Sequence, residues 1–212
     1  EKFGVEPPRS IVLFGPPGTG KTTFAKAVAS RLHWPFVEVF PARLAGDPRG
    51  LAGALRETFT KIGDLDNVVV FIDEVEEIAS QRGGEPPAPT QGVTNELLKL
   101  IPLFRERPGR LLIVATNFIR ALDDAFLRHG RFDYVIPIGL PDDQARDSIW
   151  RRYIPHSSGD TVDLAEMVKR TDGFSPADIE YAARKASQRA LEAAVYDQSG
   201  GGQEGPSTED YL

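Results

Sequence analysis

The stretch GPPGTGKTT, residues 15–23, follows the apolar run SIVLFG (10–15) and leads into KTTFAKAVASRLH (21–33). It satisfies G-x-x-x-x-G-K-S/T in full, between a predicted strand and a predicted helix. Glycines at these places let successive backbone N–H groups turn toward one anion, at a helix N-terminus that already favours negative charge. Pro17, Gly18, Thr19, Gly20, Lys21, Thr22 and Thr23 are therefore read as the lining of a phosphate cradle. Lys21 would reach the β- and γ-phosphates of a nucleotide, and the Thr22 hydroxyl would ligate Mg²⁺. A glycine-rich turn that merely starts a helix would need neither the lysine nor the threonine.

Working outward, five short β-rich runs alternate with helical patterns. They are SIVLFG (10–15), PFVEVF (35–40), NVVVFID (67–73), RLLIVATN (110–117) and YVIPIG (134–139). The third and fourth are almost continuously apolar, as strands buried on both faces of a parallel sheet are. Phe24, Val28 and Leu32 recur at helical spacing after the first run, and Leu51, Leu55, Phe59 and Ile62 after the second. Strand–helix–strand repetition calls for right-handed crossovers and an open α/β sheet.

After Pro141 no further strand pattern occurs, and helices are predicted over 142–153, 163–171 and 176–196. The last opens SPADIE, with Ser175 as N-cap, proline at the first helical position and acids in the first turn. A boundary near 140 then separates an α/β core (1–140) from a small all-helical subdomain (141–212). SQRGGEPPAPTQG (80–92) reads as a loop inside the core, and DQSGGGQEGPST (197–208) as a connector.

The run VVVFIDEVE (68–76) ends an apolar strand in acids, placing Asp73 at the C-terminal sheet edge beside the phosphate loop. Asp73 would hold Mg²⁺ through water, and Glu74 would orient and deprotonate an attacking water. Asn117, closing IVATN (113–117), would hold that water or a γ-phosphate oxygen, or simply form a turn; Thr116 is read as structural. LRHGRFDYV (127–135) sets two arginines around a glycine. Arg131 or Arg128 would supply the cation that phosphoryl transfer needs, or pair with Asp123, Asp124 or Asp133 at the surface.

Composition excludes several other classes. The chain has no cysteine, so disulfides, zinc–thiolate sites and thiol catalysis are ruled out, and a reducing cytoplasmic setting is expected. A net charge of −6 disfavours a surface built to neutralise nucleic-acid phosphates. No apolar run reaches the length of a membrane span. His33, His129 and His156 share no ligand spacing. The first residue is Glu1, without a signal-peptide pattern, and the chain is read as a segment of a longer protein.

Taken together, GPPGTGKTT, VVVFIDEVEEIASQRGG, LLIVATN, ALDDAFLRHGRFDYVIPIGLPD and TDGFSPADIEYAARKA resemble, in order and spacing, the AAA family within the AAA-plus ATPases. The LRHGRFD block carries the resemblance to AAA proper. It implies a phosphate-loop core with strand order 5-1-4-3-2, a helical lid, and a hexameric ring with nucleotide between core and lid at a subunit interface. By matching position, the resemblance gives Lys21, Thr22, Asp73, Glu74 and Asn117 the roles above. It makes Arg131 the arginine inserted into the next subunit's site. It also sets Gly4 and Val5 against adenine, with Ser175 to Ala177 closing over base and ribose.

Three positions depart from the pattern. Tyr134 stands where a second interface arginine is usual, Leu44 where the pore loop often has an aromatic, and Pro176 where the lid motif has glycine. The expectation is a Mg-dependent ATPase that remodels proteins or complexes as a ring, with a protein substrate and no nucleic acid; the isolated segment could be monomeric. The alternative is a slow nucleotide-gated switch or scaffold, which Tyr134 and Leu44 favour and the Asp73–Glu74 pair opposes.

Overall fold

Five stretches rich in β-branched and aromatic residues form the strands β1 (Ser10–Phe14), β2 (Phe36–Val39), β3 (Val68–Ile72), β4 (Arg110–Thr116) and β5 (Tyr134–Pro137). In the computed structural model they make one all-parallel sheet in the order β2-β3-β4-β1-β5, the order the resemblance implies read from the other edge. The structure describes residues 7–44, 46–79, 88–128, 130–155, 162–196 and 205–212. The helices are α1 (Lys21–Leu32), α2 (Pro41–Leu44), α3 (Gly50–Ile62), α4 (Glu76–Ala79), α5 (Ala88–Arg105), α6 (Asp143–Tyr153), α7 (Leu164–Arg170), α8 (Pro176–Tyr196) and α9 (Thr208–Tyr211).

The chain divides into two compact units, residues 1–17 with 21–138, and 18–20 with 139–212. In the first, β3 and β4 are buried along their whole length, so successive side chains feed two cores. Val68, Val70, Ile72, Leu112 and Val114 pack with Leu55 and Phe59 of α3 and with Leu97 and Ile101 of α5. Val69, Phe71, Leu111 and Ile113 turn the other way, toward Ala25 and Ala29 of α1.

That second face shows which side of α1 meets the sheet. Phe24 and Leu32 are 38% and 40% exposed, whereas Ala25 and Ala29 are buried. Small side chains let α1 lie close to the sheet, and the larger apolar residues flank the contact line. One correction concerns the predicted loop at 80–92: residues 88–92 already belong to α5, and 80–87 lie outside the described residues. Pro and Gly at its start concealed the helix, but Val93, Leu97, Ile101 and Phe104 repeat at helical spacing and are all buried. Likewise Thr208, placed in a connector, begins α9.

Among its described residues the second unit has helices joined by loops and no strand. Trp150, Met167, Ile179, Ala183, Ala186 and Tyr211 make its core, with the Trp150 indole donating to Thr171 Oγ1 at 3.2 Å. The α8 start behaves as read. Ser175 N–H donates to Asp178 Oδ2 at 2.8 Å while Asp178 N–H donates to Ser175 Oγ at 3.2 Å, a reciprocal cap. The Ser175 hydroxyl and backbone bonds hold the Asp178 carboxyl below its ordinary pKa. In the same unit, Ala177 N–H donates to Gly18 O at 3.3 Å.

The tightest constraint falls where β1 ends. Gly15 has φ +153°, and a Cβ there would sit 2.0 Å from Ile138 O, the residue that continues β5. Gly15→Ala should destabilise the chain by about 2–3 kcal/mol or prevent folding, the scale of overpacking against rigid backbone. Urea denaturation measures this; a change within the ±0.5 kcal/mol of a neutral surface substitution contradicts it.

Candidate functional site: a phosphate loop with paired acids

The site lies past the C-terminal ends of β1, β3 and β4, three neighbouring strands. Ile72 of β3 is in register with Val114 of β4, and Phe14 of β1 with Thr116, so one edge receives all three chain exits. The phosphate loop leaves β1, Asp73 and Glu74 leave β3, and Asn117 leaves β4. This is the crevice where open α/β sheets place their ligands.

Lys21 opens α1 and is 7% exposed. Its ammonium donates to Gly15 O and Pro16 O, each at 2.9 Å, and to Asn117 Oδ1 at 2.8 Å. All three N–H donors are thus engaged. Burial pulls its pKa below the ordinary value, and the carboxylates of Asp73, Glu76 and Glu74 pull the other way. A cation shed of water yet held charged by acids is arranged to meet an anion. Gly18 and Gly20 take φ +76° and +93°, the backbone region a phosphate loop uses to turn its N–H groups.

Thr22 Oγ1 donates to Asp73 Oδ2 at 3.1 Å, bringing a hydroxyl and a carboxylate oxygen together one residue from Lys21. Hydroxyl and carboxylate oxygens are the ligands a hard divalent cation prefers, so this pair fits Mg²⁺ bound with nucleotide phosphates. Glu74 is exposed and sits at φ +49°, with its N–H donating to Asp73 Oδ1 at 2.9 Å. Such a conformation in a non-glycine residue is costly and gathers at functional sites. Here it turns the chain after Asp73 and leaves the Glu74 carboxylate free of the sheet. Val75 N–H then donates to Ala115 O at 3.0 Å and re-attaches the chain to β4.

Asn117 N–H donates to Glu76 Oε1 at 3.0 Å, a contact that the sequence reading missed although the acid lies within the quoted DEVE. Thr116 is buried, and its Oγ1 accepts from Phe118 N–H at 3.1 Å, a structural role as expected. Of the other residues named from sequence, Thr19 is buried, and Pro17 and Thr23 are exposed. Gly4 and Val5 lie outside the described residues, as do His129 and His156.

Arg131 is not brought to this site. Ser10 Oγ donates to Arg131 O at 2.7 Å, and Asp133 Oδ2 accepts from Arg9 and Ser10 N–H at 2.8 and 3.0 Å. Arg131 therefore sits where β1 begins, and the phosphate loop sits where β1 ends, roughly 16 Å along a five-residue strand. Among the described residues, Asp133 pairs with neither arginine of its own block. It takes Arg105 from the end of α5, which also donates to Gly130 O. Arg128 is exposed. The brace from Arg105 lay beyond the sequence reading because it joins positions distant in the chain.

A phosphate-loop lysine, a Thr–Asp pair at hydrogen-bond distance and a second acid after a buried parallel strand define a phosphate-loop nucleoside-triphosphatase module. The family model described as "ATPase family associated with various cellular activities (AAA)" matches residues 11–140, and that of the "AAA+ lid domain" matches 161–196. The chain belongs to the AAA family of ATPases.

Among curated relatives, it is 36% identical over 197 residues to an "ATP-dependent zinc metalloprotease FtsH" of Mycoplasmoides gallisepticum, covering 91% of this chain and 26% of that protein. It is 37% identical over 195 residues to "Protein CdcH" of Halobacterium salinarum (90% and 26%). It is 36% identical over 195 residues to a "Cell division cycle protein 48 homolog" of Archaeoglobus fulgidus (90% and 26%). The chain thus spans about a quarter of the length of these relatives.

Because Asn117 occupies one Lys21 donor that a phosphate would use, the two compete. Asn117→Ala should tighten ADP binding about fivefold, the worth of one net hydrogen bond. Titration calorimetry with ADP reads this directly, and weakened binding would show that Asn117 assists the diphosphate instead.

Proposed function

We propose that this module binds ATP with Mg²⁺, hydrolyses it within a ring of copies, and uses the cycle to remodel proteins or protein complexes. The observation that carries the proposal is the Lys21 ammonium, buried at the end of β1 between loop carbonyls and Asn117, with the Thr22–Asp73 pair beside it. The relatives' printed names, an ATP-dependent protease and cell-division proteins, support ATP-driven work on other proteins.

In this reading, Lys21 exchanges Asn117 for the β- and γ-phosphates, so that substrate binding itself frees the asparagine. Thr22 and Asp73 hold Mg²⁺, which neutralises phosphate charge when bound. Glu74, turned away from the sheet by its backbone, takes the proton of the attacking water. The released Asn117 amide steadies that water or a γ-phosphate oxygen. For the nucleoside, the family resemblance favours Gly4, Val5, Ser175 and Ala177.

Arg131 completes the site of a neighbouring copy. It stands a strand length from its own phosphate loop, beyond the span of an arginine side chain, so its cation is useful to phosphoryl transfer only in trans. A head-to-tail contact of this kind closes into a ring, and six copies is the number the family resemblance favours. Among the described residues no helix is long and apolar enough to cross a membrane.

Tyr134, 53% exposed at the start of β5, favours a second reading as a slow nucleotide-gated switch, since one interface cation of the usual pair is missing there. Glu74→Gln separates the two. It should keep ATP affinity within about twofold and reduce steady-state phosphate release by at least about a thousandfold, the scale lost with an essential water-activating group. Phosphate release unchanged by the substitution removes Glu74 as the base. Wild-type release that stays negligible in assembled protein supports the switch.

A further inference from the structure

Glu76 opens α4, three residues after Asp73. One of its carboxylate oxygens accepts the Asn117 N–H at 3.0 Å, and the other is buried and makes no hydrogen bond among the described residues. Buried carboxylate oxygens are costly when unpaired, so this acid is not there for packing. Nor is it needed to tie α4 to the sheet, because Val75 N–H already donates to Ala115 O at 3.0 Å. What its hydrogen bond does fix is the peptide that precedes the Asn117 side chain, and that side chain reaches Lys21 at 2.8 Å. Glu76, Asn117 and Lys21 thus form one connected line from α4 to the phosphate loop.

We propose that Glu76 is a positioning residue of the ATPase site: by gripping the Asn117 N–H it aims the Asn117 amide at the Lys21 ammonium before substrate arrives and toward the attacking water afterwards. The proposal rests on the roles given above to Asn117 and Glu74. Beyond the charge the acid shares with Asp73 and Glu74 in keeping Lys21 charged, it acts through one neighbour. A group acting only through its charge would influence a bound phosphate whether or not Asn117 were present.

The test is a double-mutant cycle between positions 76 and 117, read by ADP affinity, ATP turnover and melting temperature on the same preparations. Glu76→Ala should tighten ADP binding about threefold to fivefold, because an unaimed Asn117 competes less for Lys21. It should also lower kcat about tenfold, the order lost when a water-orienting group is misplaced. In an Asn117→Ala background Glu76→Asp, which keeps the charge, should change neither quantity.

Glu76→Gln retains the acceptor and should return ADP affinity and kcat to within about twofold of wild type. Glu76→Asp, which keeps the charge but withdraws the acceptor, should behave like Glu76→Ala even if the alanine variant folds poorly. The proposal is overturned if Glu76→Asp leaves ADP affinity unchanged, or if its effect is the same with and without Asn117. A fall in melting temperature with ADP affinity unaltered likewise reduces Glu76 to a structural acid. Glu74→Gln measured alongside separates the failures: if it abolishes turnover while the Glu76 variants do nothing, only the role of Glu76 fails.

Discussion

A lysine ammonium taken almost out of water must be given partners, and the first unit is organised around that demand at Lys21. Its three hydrogen bonds run to Gly15, Pro16 and Asn117, joining the loop after β1 to the end of β4. The sheet order makes this possible, because β1 and β4 are neighbours and in register up to Phe14 and Thr116. β3 pairs on the far edge of β4 and delivers Asp73, Glu74 and Glu76, whose charge offsets the desolvation of Lys21. The same ammonium that costs free energy to bury is thereby poised for phosphate, since an arriving anion can replace a neutral amide.

Backbone constraints set the geometry more than side-chain packing does. Gly15 lies against Ile138 with no space for a Cβ, which fixes how the phosphate loop departs from the sheet. Glu74 holds a left-handed conformation that turns the chain at the point where β3 ends. At the opposite end of the strands, Asp133 gathers Arg9, Ser10 and Arg105, and so anchors the segment that carries Arg131. The two ends of β1 therefore serve different sites, its own at one end and a neighbouring copy's at the other in the reading proposed here.

Much of this was legible in the sequence, for identifiable reasons. Glycine spacing with Lys21 and Thr22 marks a phosphate loop because so few arrangements satisfy it, and continuous apolar runs mark strands buried on both faces. Ser175-Pro176 marked the start of α8 because capping is local chemistry. What escaped depended on contacts between distant positions, or on signals that pointed the wrong way. The prolines and glycine near its start hid α5, and Pro102 sits inside it. The apolar spacing of Phe24, Val28 and Leu32 marked α1 but not its contact line, because close helix–sheet approach selects alanine. Glu76 was one acid among several until Asn117 was found beside it, and Arg105 gave no local sign that it would brace Asp133.

The central claim is a site completed by a second copy, with Glu74 supplied in cis and Arg131 in trans. The most direct measurement mixes two variants, Glu74→Gln and Arg131→Ala, each nearly inactive alone, and follows phosphate release as their ratio is changed while light scattering reports assembly. If the account holds, mixed assemblies recover activity, because an Arg131→Ala subunit keeps its own Glu74 and borrows an arginine from its Glu74→Gln neighbour. Co-assembled mixtures whose activity never exceeds the sum of the separate variants would contradict it.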